Sequence, residues 1–332
     1  MSGTAIYKVG AGDECLHLEE CDPTKNWMEN MCFFAFDEKR RAGFLVHMKN
    51  RPNQGNVEFR LAACNDGKTV TYGSVQPLNG GFKYPDFHLD CIEPDRKWKI
   101  TSKGKGWPIE SVGGVIGMPN EKEGPVAFEL DLEWRATIDS LDWAVVRGND
   151  AAAAPGGRHY DQGARVIGKI RVGDTEVQVD SLAYRDHSWG PRAFKEMKRV
   201  YFFGFVSEDM KTYYDGSQID LPGDQGSSGF SFLLEEGKLG VVEPPIFTVT
   251  KGEDRPGGYD TVQVDVGGRR YIAHKIWNIL MPLVPERYLS GVCMVRVELE
   301  GGRKGFGIVE RGYLFSEAEL AAWKTAAASP RL

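Results

Sequence analysis

The segment Val126-Ala-Phe-Glu-Leu-Asp-Leu-Glu-Trp134 sets the pattern for this chain. Apolar and polar residues alternate along it, which is the period of a β-strand with one buried face. The same alternation returns in Val57-Glu-Phe-Arg-Leu61 and in Thr261-Val-Gln-Val-Asp-Val266. The sequence therefore predicts a mainly β protein.

Turn-forming residue pairs separate the predicted strands. Glycine adopts positive φ without strain and aspartate tolerates it, so such pairs favour the tight turns of β-hairpins. Each pair lies between two strand-like runs: Asp66-Gly67, Gly173-Asp174, Glu236-Gly237, Gly267-Gly268 and Gly301-Gly302. A succession of hairpins predicts antiparallel sheets.

Two long stretches and one helix interrupt this rhythm. The stretches 103–124 and 147–163 lack strand periodicity and hold clustered glycine, proline or alanine. They predict long loops that act either as lids or as flexible surface. Ser316-Glu-Ala-Glu319 is a capping box, in which the serine hydroxyl and the glutamate carboxylate satisfy free N–H groups. It predicts a C-terminal helix.

The length of the chain predicts two domains. Its 332 residues exceed the usual size of one hydrophobic core. The strand-like runs before Asp180 and after Tyr201 are similar in number and spacing, so two β units are expected to meet near residues 175–200. We predict an N-terminal β domain of residues 1–180 and a C-terminal β domain of residues 181–332 that ends in the helix.

Composition and charge exclude several classes of function. The net charge of −6 leaves no basic excess to neutralise phosphates, so no nucleic-acid partner is predicted. No apolar run approaches the roughly 20 residues that span a bilayer, and the N-terminus lacks the basic and apolar regions of a secretory signal. The six cysteines contain no CxxC pair, which favours a reducing, cytoplasmic location without a disulfide framework.

The usual cofactor and metal motifs do not occur either. The sequence has no GxGxxG fingerprint, GxSxG elbow or HExxH motif, and its histidines are scattered. We predict no metal and no cofactor, while a site that the fold assembles from distant histidines stays open. His47 and His88 lie in strand-like runs whose neighbours Val46 and Leu89 would face the other way, so both histidines are candidates for a barrel interior.

The densest group of reactive side chains lies in the motif Tyr184-Arg-Asp-His-Ser-Trp-Gly190. A histidine beside a carboxylate can transfer protons near neutral pH. Neighbouring strand residues point to opposite faces, so Asp186 and His187 meet only if the chain turns there, which Gly190-Pro191 favours. In the alternative interpretation, the arginine and aspartate form a structural ion pair and Trp189 closes the end of a barrel.

This motif carries a resemblance to a known family. It resembles the hallmark His/Arg-Asp-His-x-Trp-Gly segment of the lipocalin-like superfamily that contains carotenoid 1,2-hydratase (hydroxyneurosporene synthase), tocopherol cyclase-like proteins and Diels–Alderases. Arg185 stands where the hydratases commonly carry histidine. Other segments are similar to strands of that family: Glu93-Pro94 with Trp98-Lys-Ile100, Tyr160-Asp-Gln-Gly163 with Val166-Ile-Gly168, and Gly305-Phe-Gly-Ile-Val-Glu310-Arg-Gly312.

The resemblance implies two calycin-type antiparallel β-barrels side by side, with a hydrophobic cavity near their junction. It implies that Asp186 and His187 form an acid–base pair, supported by the other residues of the catalytic set, Tyr184 and Arg185. The predicted substrate-binding residues are Trp189, Arg192, His159, Tyr160, Tyr201, Tyr214, Asp215 and His88.

We therefore predict a cofactor-independent lyase or isomerase-type enzyme. Hydration or dehydration, cyclisation and retro-aldol C–C cleavage all fit an acid–base site, and the substrate would be a hydrophobic aromatic or isoprenoid-like small molecule. The alternative is a non-catalytic carrier of a hydrophobic ligand, because calycin barrels are often binding proteins. The oligomeric state and the identity of the substrate stay open.

Overall fold

Antiparallel β-sheet dominates the chain in a computed structural model, as the alternation predicts. The structure describes residues 9–109, 114–115, 124–143, 157–192, 198–221, 227–254, 256–283, 288–314, 316–318 and 321. In chain order the strands are β1 (Trp27–Asp37), β2 (Ala42–Arg51), β3 (Asn56–Asn65), β4 (Lys68–Pro77), β5 (Lys83–Tyr84), β6 (Phe87–Glu93), β7 (Lys97–Ile109), β8 (Gly114–Val115), β9 (Val126–Ala136), β10 (Leu141–Asp142), β11 (Arg158–Val172), β12 (Thr175–Pro191), β13 (Arg199–Ser207), β14 (Thr212–Asp220), β15 (Ser227–Glu235), β16 (Lys238–Val242), β17 (Ile246–Gly252), β18 (Tyr259–Val266), β19 (Arg269–Leu283), β20 (Tyr288–Glu298) and β21 (Lys304–Leu314). Short 3₁₀ helices span Ala11–Glu14, Leu18–Glu20, Pro52–Gln54 and Glu300–Gly302.

The first sheet closes on itself and forms what we call the first half. β9 pairs with both β7 and β11, which completes the ring β11-β12-β1-β2-β3-β4-β7-β9. Inside this ring Phe33 lies edge-on to Trp98 and Trp134, with ring centroids 5.8 and 5.9 Å apart. All three side chains are fully buried, and they lie at the centre of the core of the first half.

The second sheet, which we call the second half, follows the order β16-β15-β14-β13-β21-β20-β19-β18-β17. Phe205, Tyr214 and Tyr271 belong to its buried core. β8 pairs in parallel with β19, so a strand that follows β7 of the first half joins the second sheet. Two large curled antiparallel sheets match the predicted pair of lipocalin-like barrel halves.

The predicted turn pairs all connect consecutive strands. Asp66 and Glu236 have a φ of +48°, and each is followed by a glycine near +80°, the geometry of a two-residue hairpin with a type I′ turn. Gly267-Gly268 has the same geometry between β18 and β19. Gly301-Gly302 lies in the 3₁₀ turn that joins β20 to β21.

Three parts of the predicted loops are strands instead. Residues 103–109 continue β7, residues 114–115 form β8, and residues 158–163 begin β11. Glycine hides the strand pattern of β7, because a Cβ at Gly106 would overlap the carbonyl group of Thr71 on the paired strand β4. Of the remaining parts of the predicted loops, residues 110–113, 116–123 and 147–156 lie outside the described residues.

The chain passes from the first sheet to the second after β12. β12 pairs with both β1 and β11 through the motif, so the predicted division at residues 180/181 falls inside a strand of the first sheet. The change of sheet lies between Pro191 and Arg199. An apolar cluster joins the two halves, with Phe34 and Leu45 from the first and Phe202 from the second, and we call this region the junction.

Three smaller predictions concern the chain as a whole. All six cysteines are free, as predicted. Among the described residues, no helix is long and apolar enough to cross a membrane. Glu317, Ala318 and Ala321 are helical where the C-terminal helix is predicted, and the rest of that helix lies outside the described residues.

Candidate functional site

The central motif lies on β12, which continues as a strand to the end of the motif. Its residues stay in register with β1 through Pro191, so no turn forms inside the motif. The even-numbered side chains face the junction and the odd-numbered ones face the core of the first half. The expected contact between Asp186 and His187 is therefore wrong, because a strand aims neighbouring side chains at opposite faces.

The odd-numbered side chains join a buried polar network. We call it the inner cluster: Glu14, His17, Glu29, Tyr160, Arg185 and His187. Arg185 donates two hydrogen bonds to Glu14, from Nη1 to Oε2 at 2.9 Å and from Nη2 to Oε1 at 2.6 Å. Its guanidinium carbon also lies 4.8 Å from the ring centroid of Trp134. This bidentate ion pair holds the N-terminal segment inside the first half.

His187 lies between two hydrogen-bond partners. Its Nε2 is 2.9 Å from Glu29 Oε1, and its Nδ1 is 2.8 Å from the Tyr160 hydroxyl oxygen. The same hydroxyl lies 2.8 Å from Glu14 Oε2, and an ionised carboxylate can only accept. The tyrosine has a single proton, so it cannot donate to both partners at once, and its hydroxyl links His187 to Glu14 in one hydrogen-bonded network.

Both carboxyl groups of the inner cluster are ionised despite their burial. Burial raises the pKa of Glu14, but Arg185, His187 and Tyr160 more than offset it and hold that pKa at about 2. Burial likewise raises the pKa of Glu29, and hydrogen bonds from His17 and His187 bring it down to about 2. The ionised form of each group is therefore the one that stabilises the fold.

We expect the protein to lose stability in acid through Glu14 and Glu29. Their folded pKa values of about 2 lie below the ordinary 4.5, so their stabilisation is complete above pH 4.5 and is lost as the pH falls toward 2. The loss is about 3 kcal/mol for each group. Urea unfolding at a series of pH values measures it, and a free energy of unfolding that stays constant across this range contradicts the assignment.

The even-numbered side chains join a second polar group. We call it the junction cluster: Trp143, His159, Asp161, Tyr184, Asp186, Tyr213 and Asp215. Asp161 comes from β11 of the first half and Asp215 from β14 of the second, and the two carboxyl groups are close enough for each to shift the pKa of the other. The Trp143 indole donates to Asp161 Oδ2 at 2.6 Å, and the Tyr184 hydroxyl donates to Asp215 Oδ2 at 3.0 Å.

Asp161 and Asp215 form a buried pair of carboxyl groups. Both are fully buried, and Oδ1 of each has no hydrogen-bond donor among the described residues. Burial raises the pKa of both groups well above the aspartate range; the charge of Asp161 raises that of Asp215 further, and Asp186 does the same for Asp161. A negative charge on one carboxyl group disfavours ionisation of the other. The surroundings of the pair therefore favour the protonated form.

His159 and Asp186 are the members that reach accessible space. Nε2 of His159 lies 3.2 Å from Asp161 Oδ2 and 3.4 Å from Asp186 Oδ2. Although both lie deep between the halves, Asp186 keeps 21% of its side-chain surface accessible and His159 keeps 15%. Burial raises the pKa of Asp186, but the hydrogen bond and charge of His159 outweigh it and lower the pKa. A carboxyl group with a lowered pKa thus lies beside a pair whose pKa values are raised.

Aromatic rings surround these polar groups. Trp143 stacks on His159 with ring centroids 3.6 Å apart, and the centroid of Phe230 is 4.1 Å from that of Trp143. Phe202 lies 6.2 Å from both Trp143 and Tyr184. The rings come from both halves, so the cleft between the halves has aromatic walls and a few convergent polar groups. Such a lining is typical of a site for an apolar small molecule.

A cavity of about 650 Å³ opens between the halves near this cleft. Its apolar lining residues are Ile138, Leu141, Leu234 and Leu239, together with part of Met210. Leu141 is the strand neighbour of Asp161, so the cavity lies close to the junction cluster. None of the titratable side chains of that cluster lines the cavity.

Two predicted substrate-binding residues lie around the end of the motif. Trp189 stacks on His17 at 3.8 Å between ring centroids and is buried in a small cluster with Trp27 and Tyr160. Arg192 donates from Nη2 to the Ser188 hydroxyl at 2.9 Å, and Ser188 shares the junction face of β12 with Asp186. Arg192 therefore lies on the side of the cleft.

Three other predicted residues lie away from the junction cluster. Tyr214 belongs to the core of the second half, and Tyr201 lies on the same face of β13 as the core residue Phe203. His88 alternates with core residues of the first half, so it lies on the outer face of β6. These three side chains therefore lie apart from Asp215, a predicted substrate-binding residue that belongs to the junction cluster.

Two groups of side chains have the composition of a metal site. In each, the ligand atoms lie within 4.8 Å of one another: His17, Glu29 and His187, and His159, Asp161 and Asp186. In the first group, Nδ1 of His17 and Nε2 of His187 lie 2.8 and 2.9 Å from one Glu29 oxygen. Hydrogen bonds account for that arrangement, and the absence of a metal stays a prediction.

Gly204 on β13 has no side chain and so leaves the space that the Tyr184 hydroxyl occupies in the junction cluster. A Cβ at Gly204 would overlap this hydroxyl and its ring carbon. We expect Gly204→Ala to cost about 1–3 kcal/mol of stability and to separate Tyr184 from Asp215. The matched control is Gly240→Ala, where a Cβ meets nothing within 4 Å. Thermal melts of both variants check this, and equal melting temperatures contradict the close contact.

The fold and the junction cluster together define a class of protein. A closed antiparallel sheet, a second curled sheet and a polar cleft between them describe a tandem lipocalin-like β protein. The chain belongs to the family described as Domain of unknown function (DUF7064), whose model matches residues 10–312. No curated protein matches the sequence significantly.

Several solved structures share this fold. An AttH-type protein from Nitrosomonas europaea superposes with a TM-score of 0.63 and 14% identity, over 94% of this chain and 97% of that one. Kievitone hydratase from Nectria haematococca has a TM-score of 0.55 and 14% identity, over 93% of this chain and 96% of that one. CghA, solved with Sch210972, has a TM-score of 0.55 and 14% identity, over 95% of both chains. At these identities the likeness is one of fold alone.

Proposed function

We propose that the chain is a cofactor-independent lyase or isomerase-type enzyme with its active site at the junction cluster. The Asp161–Asp215 contact carries this proposal. A proton held between two buried carboxyl groups, beside the ionised and accessible Asp186, supplies an acid and a base within one cleft. Burying polar groups at the interface between the halves costs free energy. Apolar packing alone would hold the halves together without that cost, so the buried polar groups favour a functional role.

Each polar residue has a distinct role in this proposal. Asp186 contacts the substrate and takes up or returns a proton, while His159 lies within reach of both Asp186 and Asp161 and passes the proton between them. Tyr184 and Tyr213 are positioning residues, because their hydroxyl groups form a chain that ends on Asp215.

Arg185 and His187, which the sequence predicts as catalytic, act from the other face of β12. Their contacts to Glu14 and Glu29 hold the strand that carries Asp186. In the proposal they are positioning residues for the junction cluster. The first half would thus supply a rigid wall, and the second half would supply Asp215 and part of the aromatic lining.

Hydration or dehydration is the reaction that we place first. It needs a proton donor, a proton acceptor and water, all of which the cleft can accommodate. A shared fold with a protein named kievitone hydratase supports this choice. Cyclisation and retro-aldol cleavage use the same kind of acid and base and stay within the proposal. The aromatic walls favour a hydrophobic aromatic or isoprenoid-like molecule.

The test is an assay of the purified full-length chain against kievitone and a panel of prenylated phenols. Mass spectrometry follows the gain or loss of one water, and calorimetry follows binding of the same compounds. We expect conversion by the wild type and a loss of about 10²–10⁴-fold in Asp215→Asn. Asp220→Asn, at the end of the same strand, is the matched control and should convert at the wild-type rate.

A non-catalytic carrier is the rival function, since a hydrophobic cleft can hold a ligand without changing it. The same assay separates the two. Compounds that bind equally well to wild type and Asp215→Asn, with no product from either, decide for a carrier. Conversion at equal rates by wild type and Asp215→Asn means that an enzyme is present but that the Asp161–Asp215 pair is not its acid.

A further inference from the structure

The cavity between the halves has an aliphatic lining, whereas the cleft at His159 has an aromatic one. Its volume of about 650 Å³ lies within the roughly 300–1,000 Å³ that small-molecule pockets occupy. The first half supplies Ile138 and Leu141, and the β15–β16 hairpin of the second half supplies Leu234 and Leu239. Among the described residues, no aromatic side chain lines this cavity.

A buried hydrogen-bond network holds the first-half wall of the cavity in place. The N–H and the hydroxyl of Ser140 both donate to Asp95 Oδ1. The Gln162 amide donates from Nε2 to the Ile138 carbonyl oxygen at 2.8 Å and to Asp95 Oδ1 at 3.0 Å. Arg185 in turn donates from Nε to Gln162 Oε1 at 3.0 Å. Because these contacts fix the wall, the cavity keeps its shape without a ligand.

A short strand connects the cavity to the proposed active site. β10 begins at Leu141 in the cavity wall, and Leu141 pairs with Asp161 of the junction cluster. Two residues later, the backbone N–H of Trp143 donates to the carbonyl oxygen of His159 at 2.9 Å, and the two rings stack. At the strand rise of about 3.3 Å per residue, the cavity wall lies about 7 Å from the stacked rings. One small molecule can therefore reach both places.

We infer that the substrate has an aromatic or conjugated part, which lies in the cleft, and an aliphatic chain, which lies in the cavity. This inference rests on the proposed function and specifies its substrate class. Trp143 and Phe230 offer ring faces for stacking in the cleft, whereas leucine and isoleucine side chains bury methylene groups in the cavity. Asp139 also lines the cavity and keeps 59% of its side chain accessible, so the far end of the chain would face solvent.

A series of para-alkylphenols tests this assignment by calorimetry on the full-length protein, which needs no turnover. para-Cresol carries the ring with one methyl group, and para-butylphenol and para-hexylphenol add methylene groups to it. Each methylene that enters the cavity should tighten binding about fourfold. We expect this gain in the wild type and its loss in Leu239→Trp, where the larger side chain fills the cavity. para-Cresol should bind both proteins within about twofold.

Val241→Trp is the matched control, because Val241 lies on the same strand, is 61% exposed and does not line the cavity. This variant should keep the wild-type gain per methylene. Leu234→Trp, on the paired strand, carries the same prediction as Leu239→Trp, and thermal melting shows which of the two is folded. Equal gains in wild type and in the cavity variants, or no binding of any alkylphenol by the wild type, overturn the assignment.

The results for the cavity and for the proposed function are separable. Asp215→Asn should keep the gain per methylene, because Asp215 does not line the cavity. A gain per methylene without turnover of any compound supports the cavity as a ligand site and contradicts the proposed enzyme. Turnover of kievitone without a gain per methylene supports the enzyme and removes the aliphatic chain from the cavity.

Discussion

Glu14→Ala is expected to lose about 3–5 kcal/mol of stability, the usual cost of leaving one member of a buried ion pair without its partner. Arg185 is fully buried and donates two hydrogen bonds to Glu14, so the substitution leaves a guanidinium charge inside the first half. Domain stabilities lie at about 5–15 kcal/mol, so much of the total would be lost. Urea unfolding of the variant at neutral pH measures the effect.

Two further variants identify the buried charge as the cause. Glu19→Ala removes an exposed glutamate from the same N-terminal segment and should unfold like the wild type. The double variant Glu14→Met/Arg185→Met removes both charges and should recover part of the loss, because apolar side chains can fill such a site. A Glu14→Ala protein as stable as Glu19→Ala contradicts the inner cluster.

Asp186→Asn is expected to lower turnover by about 10²–10⁴-fold while the protein stays folded. The substitution keeps the shape of the side chain and removes the base that lies 3.4 Å from His159. Ligand affinity should stay within about tenfold, because the aromatic walls supply much of the binding energy. On the same samples, kinetics measures turnover, calorimetry measures ligand affinity and thermal melting measures stability.

His187→Gln is the matched comparison, since it changes the next residue on the same strand. His187 donates to Glu29 inside the first half, so this variant should lose melting temperature and keep most of its activity per folded molecule. The sequence alone predicts the opposite, with both residues in one acid–base pair. If His187→Gln loses turnover as severely as Asp186→Asn and melts like the wild type, the division of β12 into two functional faces is wrong.

The fold is predictable because its signals are local. Alternating apolar and polar residues at 126–134 indicate the two faces of a strand, and Asp66-Gly67 indicates a tight turn. Each signal lies within a few residues. Prediction fails at β7 for a physical reason, since Gly106 meets a neighbouring strand that the sequence does not reveal. The sequence also does not reveal where the first sheet ends. β12 continues to Pro191, through a motif whose glycine and proline favour a turn.

The site is only partly predictable because its contacts cross between sheets. Asp186 and Asp215, which both lie in the junction cluster, are among the predicted site residues, one from the motif and the other from a strand that follows it, and their roles stay predictions. Asp161 was missed, although His159 and Asp161 are two residues apart and therefore share one face of β11. That signal lay within a stretch predicted to be a loop. The contact of Asp161 with Asp215 depends on how the two halves dock, and nothing local in the sequence encodes it.

A crystal structure of the protein with bound kievitone tests the central claim most directly. We predict that the ligand lies at the junction, against Trp143 and Phe230, with its reacting group within reach of Asp186. A ligand inside the closed ring of the first half, in the core of the second half, or confined to the cavity beside Leu141 would contradict it.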